Sequence, residues 1–288
     1  PEKSPETDGK SLTQRIHWAY AQLPGGESRV ADLVLERPGE LAVWTASELA
    51  ERSGVSNATV SRLFRRLGYL NYDEARQSSR RLREQGSPLY LDDAGAGGRR
   101  RAGFVSDLIA EETMLVDRSL SLLNPVTAAE IALALAGARR VRVSGARNSH
   151  FLAEYMVSLL SQYRPDVAPL ANPGQTLAEG VAALGDGDVA VIIGLRRRPA
   201  GFADFVAAAA ATGARGLLIA DGSVREAPAH AAWTLICAVQ TPQVADSYLG
   251  AMAVIRALSL KTIKELGVAG RRHLEAVELL HETLSELE

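Results

Sequence analysis

Two groups of arginines carry the most conspicuous chemistry in this chain. Between residues 62 and 83 stand seven arginines (Arg62, Arg65, Arg66, Arg76, Arg80, Arg81 and Arg83) against Asp73 and Glu74, a local excess of five positive charges. A guanidinium is a planar fork of donors that keeps its charge, so this concentration suits a phosphate backbone. Just before and among them, Ser56, Asn57, Thr59 and Ser61 supply short polar side chains of the kind that reach base edges. The second group is Arg196, Arg197 and Arg198, within the run Gly194-Leu-Arg-Arg-Arg-Pro-Ala-Gly201. Three readings stand for it: forks for phosphate or carboxylate, solvated loop charges, or a contact between copies of the chain.

Other reactive residues point away from catalysis. His150 and Glu154 are spaced i,i+4, which suits a metal pair or a proton shuttle, but no third ligand accompanies them. The expectation is a loop histidine beside a helix-surface glutamate. Cys237 is the sole cysteine and sits in the apolar run Trp233–Val239, which excludes an internal disulfide and a thiolate metal cluster and reads as a buried strand residue. The chain has no Gly-Lys-Ser/Thr phosphate loop, complete G-x-G-x-x-G, G-x-S-x-G elbow or Cys/His zinc spacing. No catalytic residue, metal or cofactor is expected, and the chain reads as something other than an enzyme.

The elements that must position these residues divide the chain. At 288 residues it has the length of two domains, and 47% hydrophobic with 23% charged residues is ordinary globular composition. A net charge of −2 argues against a histone-like protein. Apolar stretches such as Phe205–Ala211 and Thr127–Ala138 fall short of the roughly 20 residues of a membrane-spanning helix. Pro1–Lys10 is polar and lacks the apolar core of a secretory signal, so a cytoplasmic location is expected. Residues 11–86 read as short helices, and 87–103, with Asp-Asp-Ala-Gly-Ala-Gly-Gly and Arg99-Arg100-Arg101, as a linker. Residues 104–288 read as an α/β domain with strands at Val141–Ser144, Asp166–Leu170, Val189–Ile193, Gly216–Ala220 and Thr234–Val239. Helices at Phe104–Leu123, Ala128–Ala136, Ser149–Tyr163, Gln175–Leu184, Phe202–Thr212, Gln243–Leu266 and Arg271–Leu287 separate and flank them, and that alternation predicts right-handed crossovers and a parallel sheet. The last helix carries Leu274, Val277, Leu280, Leu284 and Leu287 as a stripe suited to docking on a helix of its own or of a neighbouring chain.

Within the helical part, Thr45–Gly68 has the strongest local logic. Thr45 and Glu48 make a capping box that starts a helix at Ala46. Gly54 supplies a left-handed residue to end it, Val55 plugs the turn, and Ser56 caps a second helix. Val60, Leu63, Phe64 and Leu67 form the buried stripe of that second helix, while Ala58, Ser61, Arg62 and Arg65 lie opposite. A helix so placed enters the major groove, with Ser56, Asn57, Thr59, Ser61 and Arg62 as base readers and Arg65, Arg66, Arg76 and Tyr69 on phosphates. The bland alternative is a small helical bundle whose arginines are a solvated face.

The run Thr45–Gly68, with the helices Leu12–Leu23 and Ser28–Glu36 before it, resembles the helix-turn-helix of the RpiR family of bacterial regulators. That resemblance implies a C-terminal sugar isomerase (SIS) domain, a five-stranded flavodoxin-like parallel sheet that holds a phosphosugar at the carboxyl ends of its strands. It implies ligand contacts from Gly145, Arg147, Asn148 and Ser149 after the first strand, from Arg196, Arg197 and Arg198, from Asp221 and Ser223, and from Asp246 and Ser247. Gly145 and Ser149 match the family's G-x-G-x-S pattern, whereas Arg147 replaces its second glycine and the arginine run replaces its hydroxyl-rich phosphate loop. The implied partners are a double-stranded DNA operator and a small anionic metabolite effector, in a homodimer or homotetramer. The alternative is a SIS-type sugar-phosphate isomerase or binding enzyme with an accessory helical domain.

Overall fold

A computed structural model describes residues 12–84, 103–241, 243 and 245–286. The expected linker lies outside these residues except for Gly103. The described residues fall into two compact units, one within residues 1–101 and 241–246 and one within 102–240 and 247–288.

The first unit is helical: α1 (Leu12–Ala19), α2 (Gly25–Glu36), α3 (Ala46–Arg52), α4 (Asn57–Arg66) and α5 (Tyr72–Glu84). The local signals act as the sequence predicts. Thr45 N–H donates to Glu48 Oε2 at 2.6 Å and Glu48 N–H donates to Thr45 Oγ1 at 3.2 Å, which completes the capping box at the start of α3. Gly54 takes φ 62°, and Thr59 N–H donates to the Ser56 hydroxyl at the start of α4. Val60, Leu63 and Phe64 of α4, with Leu67 just after it, close on Ile16, Val34 and Leu49 from the preceding helices. Burial of each such side chain contributes about 1.5–3 kcal/mol, so this one stripe orients α4 in its domain. Phe64 meets Tyr69 and Tyr72 edge-on at 6.3 and 5.2 Å between ring centroids. Burial pushes the Tyr72 phenol up to about 12, and its hydroxyl donates to the Trp44 carbonyl at 2.9 Å.

The second unit is a parallel five-stranded sheet of β1 (Val141–Gly145), β2 (Val167–Pro169), β3 (Val189–Gly194), β4 (Arg215–Asp221) and β5 (Trp233–Cys237), in the order β2-β1-β3-β4-β5. Every position of β3 is buried, the pattern of a central strand covered on both faces. Val141, Val143, Val191 and Leu217 pack beneath α7 (Pro125–Gly137), α8 (Asn148–Ser161) and α11 (Leu249–Leu284). Ala190, Ile192 and Leu218 face α10 (Phe202–Ala211) and the Leu170 and Leu184 flanks of α9 (Leu177–Ala182). An additional helix, α6 (Phe104–Ser121), precedes α7. Asp188, just before β3, accepts from the guanidinium groups of both Arg139 and Arg140 and so ties the α7–β1 connection to the sheet. Pro169 lacks an N–H on the edge strand β2, where a ladder donor would be a liability. Among the described residues no single helix is long and apolar enough to cross a membrane.

One expected boundary differs. Where the sequence suggests helices at Gln243–Leu266 and Arg271–Leu287, α11 (Leu249–Leu284) is two helical stretches that meet at a kink at Gly267 (φ 51°, ψ −125°), so the break falls where the sequence suggests it and only the start, Leu249 in place of Gln243, differs. Before Leu249, side-chain and loop bonds hold the backbone instead: Gln243 N–H donates to Thr241 Oγ1 and Ser247 N–H to the Val239 carbonyl.

Candidate functional site

Two surfaces gather the chemistry. The first is the outer side of α4. The Ser56 cap and the buried stripe fix its orientation, leaving Ser56, Asn57, Arg62 and Arg65 exposed and Ser61 half-buried. Asn57 Nδ2 donates to Ser47 Oγ of α3 at 3.3 Å, so its amide lies at the junction of the two helices. Arg62 Nη2 donates to Thr59 Oγ1 at 3.1 Å. Neither Arg62 nor Arg65 meets a carboxylate among the described residues.

Other residues expected on this surface have their charge or side chain engaged within the domain. Thr59 is turned inward, 9% exposed. Arg66 Nε donates to Glu27 Oε2 of α2 at 2.8 Å, and that carboxylate is buried. Arg76 lies 3.9 Å from Asp73 within α5. Tyr69 is buried beneath the Arg15 guanidinium, 4.5 Å from the ring centre. Arg80 Nε donates to the Ala42 carbonyl at 2.8 Å. Glu27 and Arg15, from helices upstream of the motif, are the partners that sequence reasoning missed. Glu27 sits 39 residues from Arg66, and no local signal joins them.

The second surface is the crevice at the carboxyl ends of β1 and β3, where the strand order reverses, the usual ligand position in an open parallel sheet. The segment after β1 turns at once into α8. A Cβ at Gly145 would lie 2.1 Å from the Ser149 carbonyl oxygen, so only glycine allows the helix to start this close to the strand. Arg147 takes φ 57° at the helix entrance, and it and Asn148 are exposed. Ser149 is buried, and its hydroxyl accepts from Leu195 N–H at 3.4 Å, which links this turn to the segment after β3.

The arginine run after β3 is largely engaged by the protein itself. Asp221, 4% exposed at the end of β4, accepts from Arg196 N–H and from Arg198 Nη1, both at 2.7 Å. Arg198 also donates to the Gly194 carbonyl at 3.1 Å and to Ser223 Oγ at 2.8 Å. Burial alone would raise the Asp221 carboxyl, but hydrogen bonds from Ser223, the Arg196 amide and Arg198 hold it below the ordinary aspartate value. The Arg196 side chain is buried and Arg197 is exposed. Hydrogen bonds thus join Arg196, Arg198, Asp221 and Ser223 into one group, to which Ser149 is linked through Leu195 N–H, with Gly145 packed against Ser149. Ser247 donates instead to Glu112 of α6, and Asp246 precedes the observed helix start. His150 Nδ1 and Glu154 Oε1 are 4.0 Å apart, His150 exposed and Glu154 half-buried. A separate cleft of about 180 Å³ lies along β2 and α9, lined in part by Arg142, Asn172, Gln175 and Glu179; no expected ligand residue lines it.

Comparison with known proteins agrees with both units. Residues 10–78 match the model of the helix-turn-helix domain of the rpiR family. Over 271 residues, 92% of this chain and 92% of the relative, the sequence is 24% identical to the HTH-type transcriptional regulator HexR of Pseudomonas aeruginosa. It is 26% identical over 147 residues to an uncharacterized HTH-type transcriptional regulator in the aarA 3′ region of Providencia stuartii, a match spanning about half of each chain, 50% and 51%. The fold is similar to that of the Vibrio vulnificus NanR protein complexed with ManNAc-6P, with TM-score 0.56 and 16% identity over 95% of this chain and 99% of that one. It is also similar to the sugar isomerase domain of an RpiR transcription factor from Sphaerobacter thermophilus, with TM-score 0.55 and 21% identity over 61% of this chain and 98% of that one. The N-terminal unit is an rpiR-family helix-turn-helix domain, and the C-terminal unit has the fold of a sugar isomerase domain.

Proposed function

We propose that this RpiR-type transcription regulator binds an operator duplex through residues 11–86 and senses a small anionic metabolite through residues 104–288, with 87–103 as the linker. The observation that carries the DNA-binding half is the pair Arg62 and Arg65, exposed on one side of α4 with no carboxylate in contact among the described residues. An unneutralised arginine on a helix whose opposite side is fixed in a core can give its charge to nucleic acid without first breaking an ion pair within its own protein. Arg65 contacts phosphate, and Arg62, with Ser56, Asn57 and Ser61, faces base edges. Arg66 and Arg76, already beside Glu27 and Asp73, contribute field more than direct contact.

The test is DNA affinity measured against salt. Arg65→Ala should weaken binding to all duplexes about equally and reduce the slope of log K against log salt by about 1. Arg62→Ala should cost about 1–3 kcal/mol on the preferred sequence and relax selectivity there. Full DNA affinity in both variants would remove α4 from the interface.

The sensing half rests on the crevice, where the α8 N-terminus, Arg147 and Arg197 are open to an anion. The phosphosugar held by the similar NanR protein makes sugar phosphates one class to screen and sugar acids another. A ligand at 100 times its dissociation constant stabilises the protein by about 2.7 kcal/mol, which thermal shift detects. Replacing both Arg147 and Arg197 by alanine should abolish the effector's influence on DNA binding and leave DNA affinity itself unchanged. A retained response would move the effector away from this crevice. Two half-sites at fixed spacing require two recognition helices, so the working form is a homodimer or homotetramer. The ligand acts by binding one arrangement of the DNA-binding units better than another. The rival reading, a sugar-phosphate isomerase, would gain from turnover of an aldose or ketose phosphate that depends on His150 or Glu154.

A further inference from the structure

We infer that Thr59 is a positioning residue for base selection: its hydroxyl fixes the Arg62 guanidinium for a bidentate contact with guanine, and it touches no base itself. The inference rests on the DNA-binding reading of α4. Thr59 is held at both ends. Its methyl group packs toward α2, where a Cβ at Gly26 would come within 3.2 Å of Thr59 Cγ2. Its hydroxyl lies 3.1 Å from Ser56 Oγ and 3.1 Å from Arg62 Nη2.

A guanidinium only donates, so Thr59 Oγ1 accepts from Arg62, while either hydroxyl can donate in the contact between Thr59 Oγ1 and Ser56 Oγ. Ser56 Oγ accepts from Thr59 N–H at 3.3 Å, so this relay is anchored on the helix cap itself. Arg62 has no carboxylate to orient it, and this hydroxyl is the side-chain group that restrains its fork among the described residues. An arginine read by guanine O6 and N7 must present two donors in one plane, and prior restraint lowers the rotamer entropy lost on binding. A phosphate contact has no comparable need for one fork plane. The relay therefore acts on selectivity more than on general affinity.

The test uses the full chain and two duplexes: the sequence it enriches from a random pool and a scrambled one of equal length. Thr59→Val keeps the shape and methyl packing but cannot accept from Arg62; Thr59→Ser keeps the hydroxyl. We expect Thr59→Val to reduce the ratio of specific to non-specific affinity about tenfold, with thermal midpoint, non-specific affinity and salt slope unchanged. Thr59→Ser should retain the parent ratio. In an Arg62→Ala background Thr59→Val should cause no further loss. Equal weakening on both duplexes, additivity with Arg62→Ala, a parent-like Thr59→Val, or a larger loss in Thr59→Ser than in Thr59→Val would each overturn the relay alone. Failure of the pool to enrich any sequence, or an Arg62→Ala protein as selective as the parent, would overturn the DNA-reading role of α4 and the relay with it.

Discussion

Asp221→Ala should lower the stability of the α/β unit by about 3 kcal/mol, because it removes the shared acceptor of a half-buried cation and a buried amide. Arg198 would remain partly enclosed with only the Gly194 carbonyl and the Ser223 hydroxyl, and Arg196 N–H would lose its partner. In a unit of this size that loss corresponds to roughly a 10 °C fall in its thermal midpoint. Asp221→Asn keeps an acceptor and should fall by less. The pH dependence has a definite sign. The folded carboxyl titrates below the unfolded one, so its contribution is intact above the ordinary aspartate pKa of about 3.9 and is lost as pH falls through that value toward the lower folded pKa. Denaturation curves should therefore show a constant gap between parent and Asp221→Ala from about pH 6 upward, on the order of the full effect, that shrinks below about pH 4. A gap that widens in acid, or no gap at neutral pH, would mean that the 194–201 segment is held by something else.

The second large effect belongs to Phe64. Its ring is fully buried among Val60, Leu63 and Tyr72, so truncation to alanine removes a large apolar surface and leaves a cavity at the crossing of α4 and α5. Such losses run to about 3–5 kcal/mol, much of the whole stability of a domain of some 75 residues. Phe64→Ala should unfold the helical unit at physiological temperature and abolish binding to every duplex while the α/β unit keeps its own melting transition. Calorimetry and a DNA-binding assay on one preparation would check both halves of that statement. Survival of DNA binding would show that α4 holds its orientation without this ring. Phe64→Leu, which keeps much of the apolar side chain and leaves a smaller cavity, should lose less stability than Phe64→Ala.

Local interactions are the part of this fold that the sequence makes legible. Thr45, Glu48, Gly54 and Ser56 act within a few residues of themselves, so helix starts and the turn between α3 and α4 are visible from spacing. The sheet is legible for a different reason: β3 and β4 lie between two layers of helices, and their apolar runs have no other use. Arginine roles are not legible. Arg196, Arg197 and Arg198 are identical in type and adjacent, yet one is buried, one exposed and one bonded to Asp221 and Ser223. Their fates depend on residues more than 20 positions away, brought near by strand order. The same holds for Arg66 and Glu27. Thr59 misleads in another way, since it stands beside Val60 at the edge of the buried stripe, and a threonine fits either side of a helix. The break at Gly267 is legible because its positive φ is a backbone conformation that glycine adopts without the strain another residue would meet.

Cys237 gives the sheet a property separate from regulation. Burial pushes its thiol up to about 12, with the nearby Asp221 charge adding to the rise, and only 1% of the residue is accessible. At neutral pH almost no thiolate exists there, and an alkylating reagent has no path to the sulfur while β5 remains in place. The only sulfhydryl in the 288 residues thus works as a clock for opening of the C-terminal unit: its labelling rate in native buffer counts excursions in which the sheet comes apart, and a bound effector would slow that count.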